Sequence, residues 1–360
     1  MMNFLKSKNS RPVRIGYVPI SKNFNSPGDK RRFIYYANNR NLNFEIADYS
    51  KEYDLVVITQ NSDLSIWKDY DKGNAKVIYD FIDSYLAIPK YNVKGMLRGV
   101  AKYFSGQSKY LIFNHWKAIG DMCSRADAVI CSTQEQRNDI SKFCSNVHII
   151  LDAHMNVASA CKSSYSSQGP FRLIWEGLPQ TIDSLESIVP AINYLSKKTP
   201  IELHILTDAS FNRYIGKYGK TDTFKIVQKL FKNAIFHEWD EKTFANYVCS
   251  CDLAIIPLSL SDPFAAGKPE NKLLLFWRIG MPVVASATPA YVRAMKLAGM
   301  DYTVKHNSDW VKILSDLIAN PIARHEAGLL GKSYVEKNFS EKILMDQWDG
   351  VLESCGFSYS

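Results

Sequence analysis

Short runs of β-branched and other apolar residues recur along this chain, separated by polar stretches of helical length. In the first half they fall at Val13–Val18, Asn43–Ala47, Leu55–Thr59, Lys76–Asp80, Ala128–Cys131 and Val147–Leu151. In the second half they fall at Phe171–Trp175, Glu202–Leu206, Ala234–His237, Leu253–Pro257, Pro282–Ser286 and Tyr302–Val304. Runs that stay apolar on both faces, alternating with helices, are what a parallel sheet covered on both sides requires. The pattern predicts two doubly wound, Rossmann-like α/β domains of six strands each. Between the two sets, Ala153–Pro170 is rich in serine and has the composition of a linker. The expected layout is therefore residues 1–152, a linker at 153–170, and a second domain over 171–338. Asp183–Leu195 reads as one amphipathic helix, with Leu185, Ile188, Val189, Ile192 and Leu195 inward.

Composition narrows the class. The 360 residues are 46% hydrophobic and 12% aromatic, a globular mixture that excludes disorder and low complexity. No apolar run approaches the ~18 residues of a membrane span, and the amino terminus lacks the apolar core of a secretory signal. Seven cysteines, with Cys249 and Cys251 one residue apart, form neither a disulfide framework nor a zinc-type pattern, so a reduced, cytoplasmic protein with no metal or cofactor is expected. The 44 basic residues against 36 acidic ones give +8, but unevenly. Between Ser84 and Gly120 there are six positive charges and no Asp or Glu. Lys90, Lys94, Arg98 and Lys102 are spaced by four, which on a helix forms one basic side beside Met96, Leu97, Val100 and Phe104. Such a segment fits an anionic acceptor or the inner face of a membrane; a solvated charged face is the plainer alternative.

Doubly wound sheets bind ligands beyond the carboxyl ends of their strands, so the residues after each run matter most. After the first run, Gly28 is expected to take a positive φ, Asp29 to cap a helix starting near Lys30, and Arg31 and Arg32 to lie in its first turn. That arrangement suits an anion or sugar hydroxyls of an acceptor. The absence of a GxGxxG motif argues against hydride transfer. Asp80 and Asp83 lie at the edge after the fourth run, where a carboxylate could take a proton from an acceptor hydroxyl; helix capping is the alternative. In the second half, Gly177 follows a strand directly. Further on, Lys268 precedes a helix expected to start near Pro269–Glu270, with Glu270, Asn271 and Lys272 in its opening turn. A lysine at such a helix start suits a diphosphate, and a glutamate suits ribose hydroxyls.

This last stretch resembles the donor-binding region of GT-B glycosyltransferases, especially the family 4-like (group 1) enzymes. It carries Pro257-Leu258, Lys268 with Asn271-Lys272-Leu273, Gly280-Met281-Pro282-Val283-Val284-Ala285-Ser286, and then Pro289 with Tyr291. Ala126–Ile140 resembles the family's last strand and helix of the first domain, and the carboxyl end (339–360) resembles a helix that crosses back onto that domain. The resemblance implies transfer of a sugar, with retention at the anomeric carbon, from a nucleotide-sugar to a glycan or lipid-linked acceptor, as in bacterial surface polysaccharide synthesis. Gly177, Lys268, Glu270, Asn271 and Lys272 would then hold the donor. One departure stands out: Leu275 occupies a position where the family usually carries Glu. It favours a rival reading, a non-catalytic GT-B module. A nucleotide-sugar epimerase is a second rival, distinguished by converting donor without acceptor. Nucleic-acid binding has no aromatic-plus-basic motif in its support.

Overall fold

In the computed structural model, the described residues are 5–6, 13–71, 73–89, 93–212 and 220–359; side chains at 5–6, 93–97, 211–212 and 220–221 are outside the description. The chain forms two compact units, one made of residues 1–153 and 341–360, the other of 154–340.

The first unit is built on a parallel sheet of six strands: β1 Ile15–Val18, β2 Phe44–Ile46, β3 Leu55–Thr59, β4 Lys76–Asp80, β5 Ala128–Cys131 and β6 Val147–Ile149. Their order is β2-β1-β3-β4-β5-β6, so the direction of winding reverses between β1 and β3. All five residues of β3 are buried, the consequence of helices on both faces. The second unit has β7 Phe171–Glu176, β8 Ile201–Thr207, β9 Ile235–Glu238, β10 Leu253–Ile256, β11 Val283–Ser286 and β12 Thr303–Val304, again all parallel. The order β9-β8-β7-β10-β11-β12 reverses between β7 and β10. All twelve predicted strands are present, with boundaries displaced by at most two residues.

Three local expectations change. The helix predicted over Asp183–Leu195 is a 3-10 segment, Pro179–Ser187, followed by an α-helix at Val189–Leu195. Pro190 sits in that helix's first turn, where a missing N–H costs nothing, so the chain breaks there instead of running through. The serine-rich stretch is not a free tether. From His154 onward it belongs to the second unit, where the Lys162 amide bonds the Ile279 carbonyl, Tyr165 Oη donates to the Gly280 carbonyl at 2.7 Å and Arg324 donates to the Tyr165 carbonyl. Finally, Gly28 lies within the helix Pro27–Lys30 and is absent from the positive-φ residues; Phe24 supplies that geometry at φ 58°. A Cβ at 28 would stand 2.4 Å from the Ile20 Cδ1 methyl, which would have to turn aside.

The carboxyl-terminal helix Glu341–Ser354 packs within the first unit. Trp348 is fully buried and stacks on Tyr36 at 5.4 Å, and Asp349 accepts from Tyr36 and Arg40.

Candidate functional site

In the second unit the winding reversal places the ends of β7 and β10 side by side, and the residues singled out from the sequence gather around β7's end. Gly177 follows Glu176 immediately. A Cβ there would lie 2.6 Å from the Lys272 ammonium and 2.6 Å from the Trp175 ring, so a side chain at 177 would displace the ammonium or the ring from its present place. Lys272 is in the first turn of the helix Asn271–Arg278, which opens at Glu270 as its N-cap, one to two residues later than expected. Its Nζ donates to the Glu176 carbonyl at 2.8 Å, stands 3.8 Å from the Glu176 carboxylate and 5.4 Å from the Trp175 ring centre. Burial lowers the Lys272 pKa; Glu176 opposes that and Lys268 adds to it. Lys268 lies 5.6 Å from the Phe264 ring centre, half-buried. Glu270 is buried, and its charge, with that of Glu176, adds to the burial that raises the Tyr291 pKa. Leu275 is 1% exposed, a core residue on the inner side of this helix.

Two carboxylates missed from sequence border the same edge. Asp208 follows β8 and Glu238 ends β9; burial raises the Asp208 pKa, and the charges of Glu238 and Glu176 raise it further. Nothing in their local pattern marks them; the strand order alone brings them together. A separate cavity of about 460 Å³ opens at the ends of β10, β11 and β12, lined by Asp183, Glu186, Leu258, Ser261, Ser286 and Lys305 among others.

In the first unit the expected acceptor residues divide by burial. Asp29 does not cap a helix. It is fully buried and accepts from the Ile20 amide at 2.7 Å, the Ser21 amide and hydroxyl at 2.9 Å, and Tyr17 Oη at 2.7 Å. It therefore fixes the loop after β1 and presents no free oxygen edge to a ligand. Arg32 is equally enclosed. Its Nε and Nη2 grip Asp80 at 2.6 to 3.0 Å, and its Nη1 reaches the Ile150 carbonyl and Asp152. Burial works against the Arg32 charge, but Asp80 and then Asp152 outweigh it and raise its pKa. Asp80, 1% exposed, is in turn consumed by Arg32, so the pair is a structural tie between β4 and the first helices. Arg31 and Gly28 remain partly exposed beside it.

Asp83 behaves differently. It is half-exposed, its amide donates to Gln60 Oε1 at 2.7 Å and its Oδ2 accepts from Gln60 Nε2 at 2.8 Å. Gln136 braces the same loop by donating to the Phe81 and Asp83 carbonyls. The sequence placed two carboxylates in one loop; the fold buries one and holds the other at the surface of the sheet edge. Neither glutamine was legible as a site residue.

Of the basic side expected from Lys90, Lys94, Arg98 and Lys102, the structure describes two side chains. Lys90 and the Lys94 side chain lie outside the described residues. Arg98 and Lys102, on the helix Val93–Phe104, turn inward. Arg98 donates to Tyr85 Oη at 2.7 Å with its guanidinium 4.1 Å from that ring. Lys102 is pushed down to about 8, by burial first and by Arg98 second. His115 beside them is buried and pushed down to about 3, by burial, then Lys102 and Arg98.

Among the described residues no group of three or more His, Cys, Asp or Glu is placed to hold a metal ion, no helix is long and apolar enough to cross a membrane, and the seven cysteines are unpaired with one another. No family model and no curated protein matches the sequence. Solved structures do match its fold. A structure titled as Anabaena Alr3699/HepE in complex with UDP superposes with a TM-score of 0.62 at 12% identity, over 95% of this chain and 100% of that one. Sucrose-phosphate synthase from Thermosynechococcus elongatus gives 0.62 at 14% identity over 89% and 75%. S. aureus TarM, in complex with fondaparinux, alpha-GlcNAc-glycerol and UDP, gives 0.56 at 12% identity over 82% and 55%, so the chain spans about half of TarM's length. Two six-stranded parallel sheets, the order of their strands and these superpositions make this a protein of the GT-B fold.

Proposed function

We propose that the chain is a glycosyltransferase that takes a sugar from a nucleotide-sugar donor and passes it to a glycan or lipid-linked acceptor. The observation that carries the reading is the meeting of Gly177 and Lys272 at the winding reversal of the second sheet. A bare glycine next to a lysine held at a strand end is a seat for a diphosphate, since the backbone can approach and the ammonium can neutralise. Lys268 adds a second cation, and Glu270 and Asn271 serve the ribose. Catalysis on this reading is positioning plus stabilisation of charge on the departing diphosphate, and calls on no metal. Asp83 is the carboxylate able to reach an acceptor hydroxyl, because Asp80 is committed to Arg32. Arg31 and Gly28 would flank the acceptor. If Asp83 acts as a general base, the product is inverted; retention, as in family 4, would assign Asp83 to binding.

The test is a thermal-shift series with UDP, GDP, dTDP, ADP and CMP, followed by product analysis with the preferred donor. A bound UDP in HepE and in TarM puts UDP first. A charged hydrogen bond is worth about 1.5–3 kcal/mol, so Lys272→Ala should weaken nucleotide binding ~10- to 100-fold. Unchanged affinity in that variant removes the anchor of the proposal. The second reading, a non-catalytic module, rests on Leu275, whose burial in the helix core leaves no carboxylate where the family usually has one. Nucleotide binding without transfer or donor hydrolysis selects it.

A further inference from the structure

The helix Val93–Phe104 and the chain that follows it form a hairpin-like unit in the first domain. The Gln107 and Ser108 amides both donate to the Lys102 carbonyl, turning the chain back. Earlier on the helix, Gly99 meets the returning segment so closely that a Cβ would stand 2.2 Å from the Ile112 carbonyl oxygen. Ile112 is the inward residue of that return, and its neighbours on both sides point away. The outward side chains are large and apolar. Phe104 is 76% exposed and Phe113 78%, with Tyr103, Tyr110 and Leu111 also exposed. Tyr103 and Phe104 pack edge to face at 5.6 Å, and Lys109 Nζ lies 5.4 Å from the Tyr110 ring. Two phenylalanines at three-quarters exposure, on one short hairpin, depart from the singly scattered apolar residues of an ordinary surface.

We infer that this hairpin tip is a docking surface for an anionic lipid bilayer, into whose interface Phe104, Phe113 and the flanking tyrosines insert. Charge complementarity selects the occupant. Residues 85–119 hold six cations and no carboxylate; Lys109 is exposed at the tip, Arg98 and Lys102 are half-buried on the helix behind it, and the carboxylate facing the segment from another element is Asp63, which accepts from the Lys109 amide. Aromatic rings with a polar edge and lysines that extend past them are the side chains an interfacial region accepts. With no spanning helix among the described residues, attachment would be to the surface and reversible. On this surface the rings insert, and the cations supply the field from behind.

The experiment is co-sedimentation of the whole chain with vesicles of phosphatidylcholine alone and of phosphatidylcholine with 30% phosphatidylglycerol, in ~50 and ~500 mM salt, spanning weak and near-complete screening. The wild-type chain should bind the anionic vesicles and lose most of that binding at high salt. Phe104→Ser with Phe113→Ser should weaken it ~10-fold or more, and Lys109→Gln by a smaller factor, on the usual sharing between inserted apolar area and charge. Both variants alter exposed side chains, and an unchanged melting temperature verifies their fold. Phe104→Trp should blue-shift its emission on anionic vesicles. Equal sedimentation of the double serine variant and wild type overturns the inference. So does lipid-free self-association of the wild type that the double variant abolishes, which would assign the rings to a second copy. No turnover enters these measurements, so they stand or fall apart from the transferase reading.

Discussion

Arg32 and Asp80 carry the sharpest residue-scale consequence. Both side chains are inaccessible to solvent, joined by Nε and Nη2 contacts of 2.6 to 3.0 Å, and Asp152 supplies the remaining carboxylate at 3.1 Å. Removing one partner of a buried ion pair leaves an uncompensated charge and costs about 3–5 kcal/mol. Asp80→Asn should therefore destabilise the first unit strongly in urea denaturation, even though Asn is nearly the same size. A catalytic Asp80 would instead give a stable, inactive protein, so measuring stability beside activity separates the two roles. Asp83→Asn should leave stability within about 0.5 kcal/mol, as surface changes do, and act on turnover if the carboxylate serves the acceptor. From sequence the two aspartates were equivalent. What separates them is a guanidinium 48 residues away, and local pattern holds no record of such a pairing.

At the scale of elements, the strands were legible because each is a short apolar run that must be buried on both faces, a property of composition alone. Leu55–Thr59, Lys76–Asp80 and Ala128–Cys131 match the sequence reading residue for residue. Helix ends were less legible: Pro190 divides one apparent helix, and Gly28, read as a turn glycine, lies inside a short helix. Pairings between strands were not legible at all, and one of them titrates. His204 Nδ1 and His237 Nε2 approach to 2.9 Å across β8 and β9, with rings 11° from parallel. Burial lowers both pKa values; Glu202 opposes this at His204 while Arg172 reinforces it, and His204 reinforces it at His237. A histidine whose folded pKa is depressed takes up its proton in the unfolded chain first, so its stabilising effect holds above about pH 6.5 and is lost as pH falls. The second unit should thus lose stability between pH 7.5 and 5, by up to ~1.4 kcal/mol per pH unit for each proton taken up on unfolding. Denaturation of His237→Gln across the same range should show a shallower slope; an identical slope would assign the pH response elsewhere.

At the scale of the whole molecule, the first unit is discontinuous in sequence, and that makes the chain's last segment structural for its first. The chain leaves the first unit at residue 153 and returns to it at 341. The returning helix places Trp348 against Phe33 at 5.9 Å and Tyr36 at 5.4 Å, while Leu5–Lys6 pairs antiparallel with Ser358–Tyr359. The resemblance noted at sequence level pointed to such a helix, but its contacts depend on Phe33, Tyr36 and Arg40, which no spacing rule connects to residue 348. Contacts separated by more than 300 residues form late, because the intervening chain must be ordered or closed as a loop first. The first unit should then be the one whose stability answers to the carboxyl end. Trp348→Ala removes a fully buried indole, a change that costs about 3–5 kcal/mol in a packed core. Calorimetry should show the transition of the first unit moving to lower temperature while that of the second, residues 154–340, stays in place. Tryptophan emission offers a second reading, since Trp67 and Trp116 report on the first unit and Trp175, Trp239, Trp277 and Trp310 on the second. Equal shifts in both transitions would mean that the units unfold as one, and the division of labour argued from their separate cores would fail.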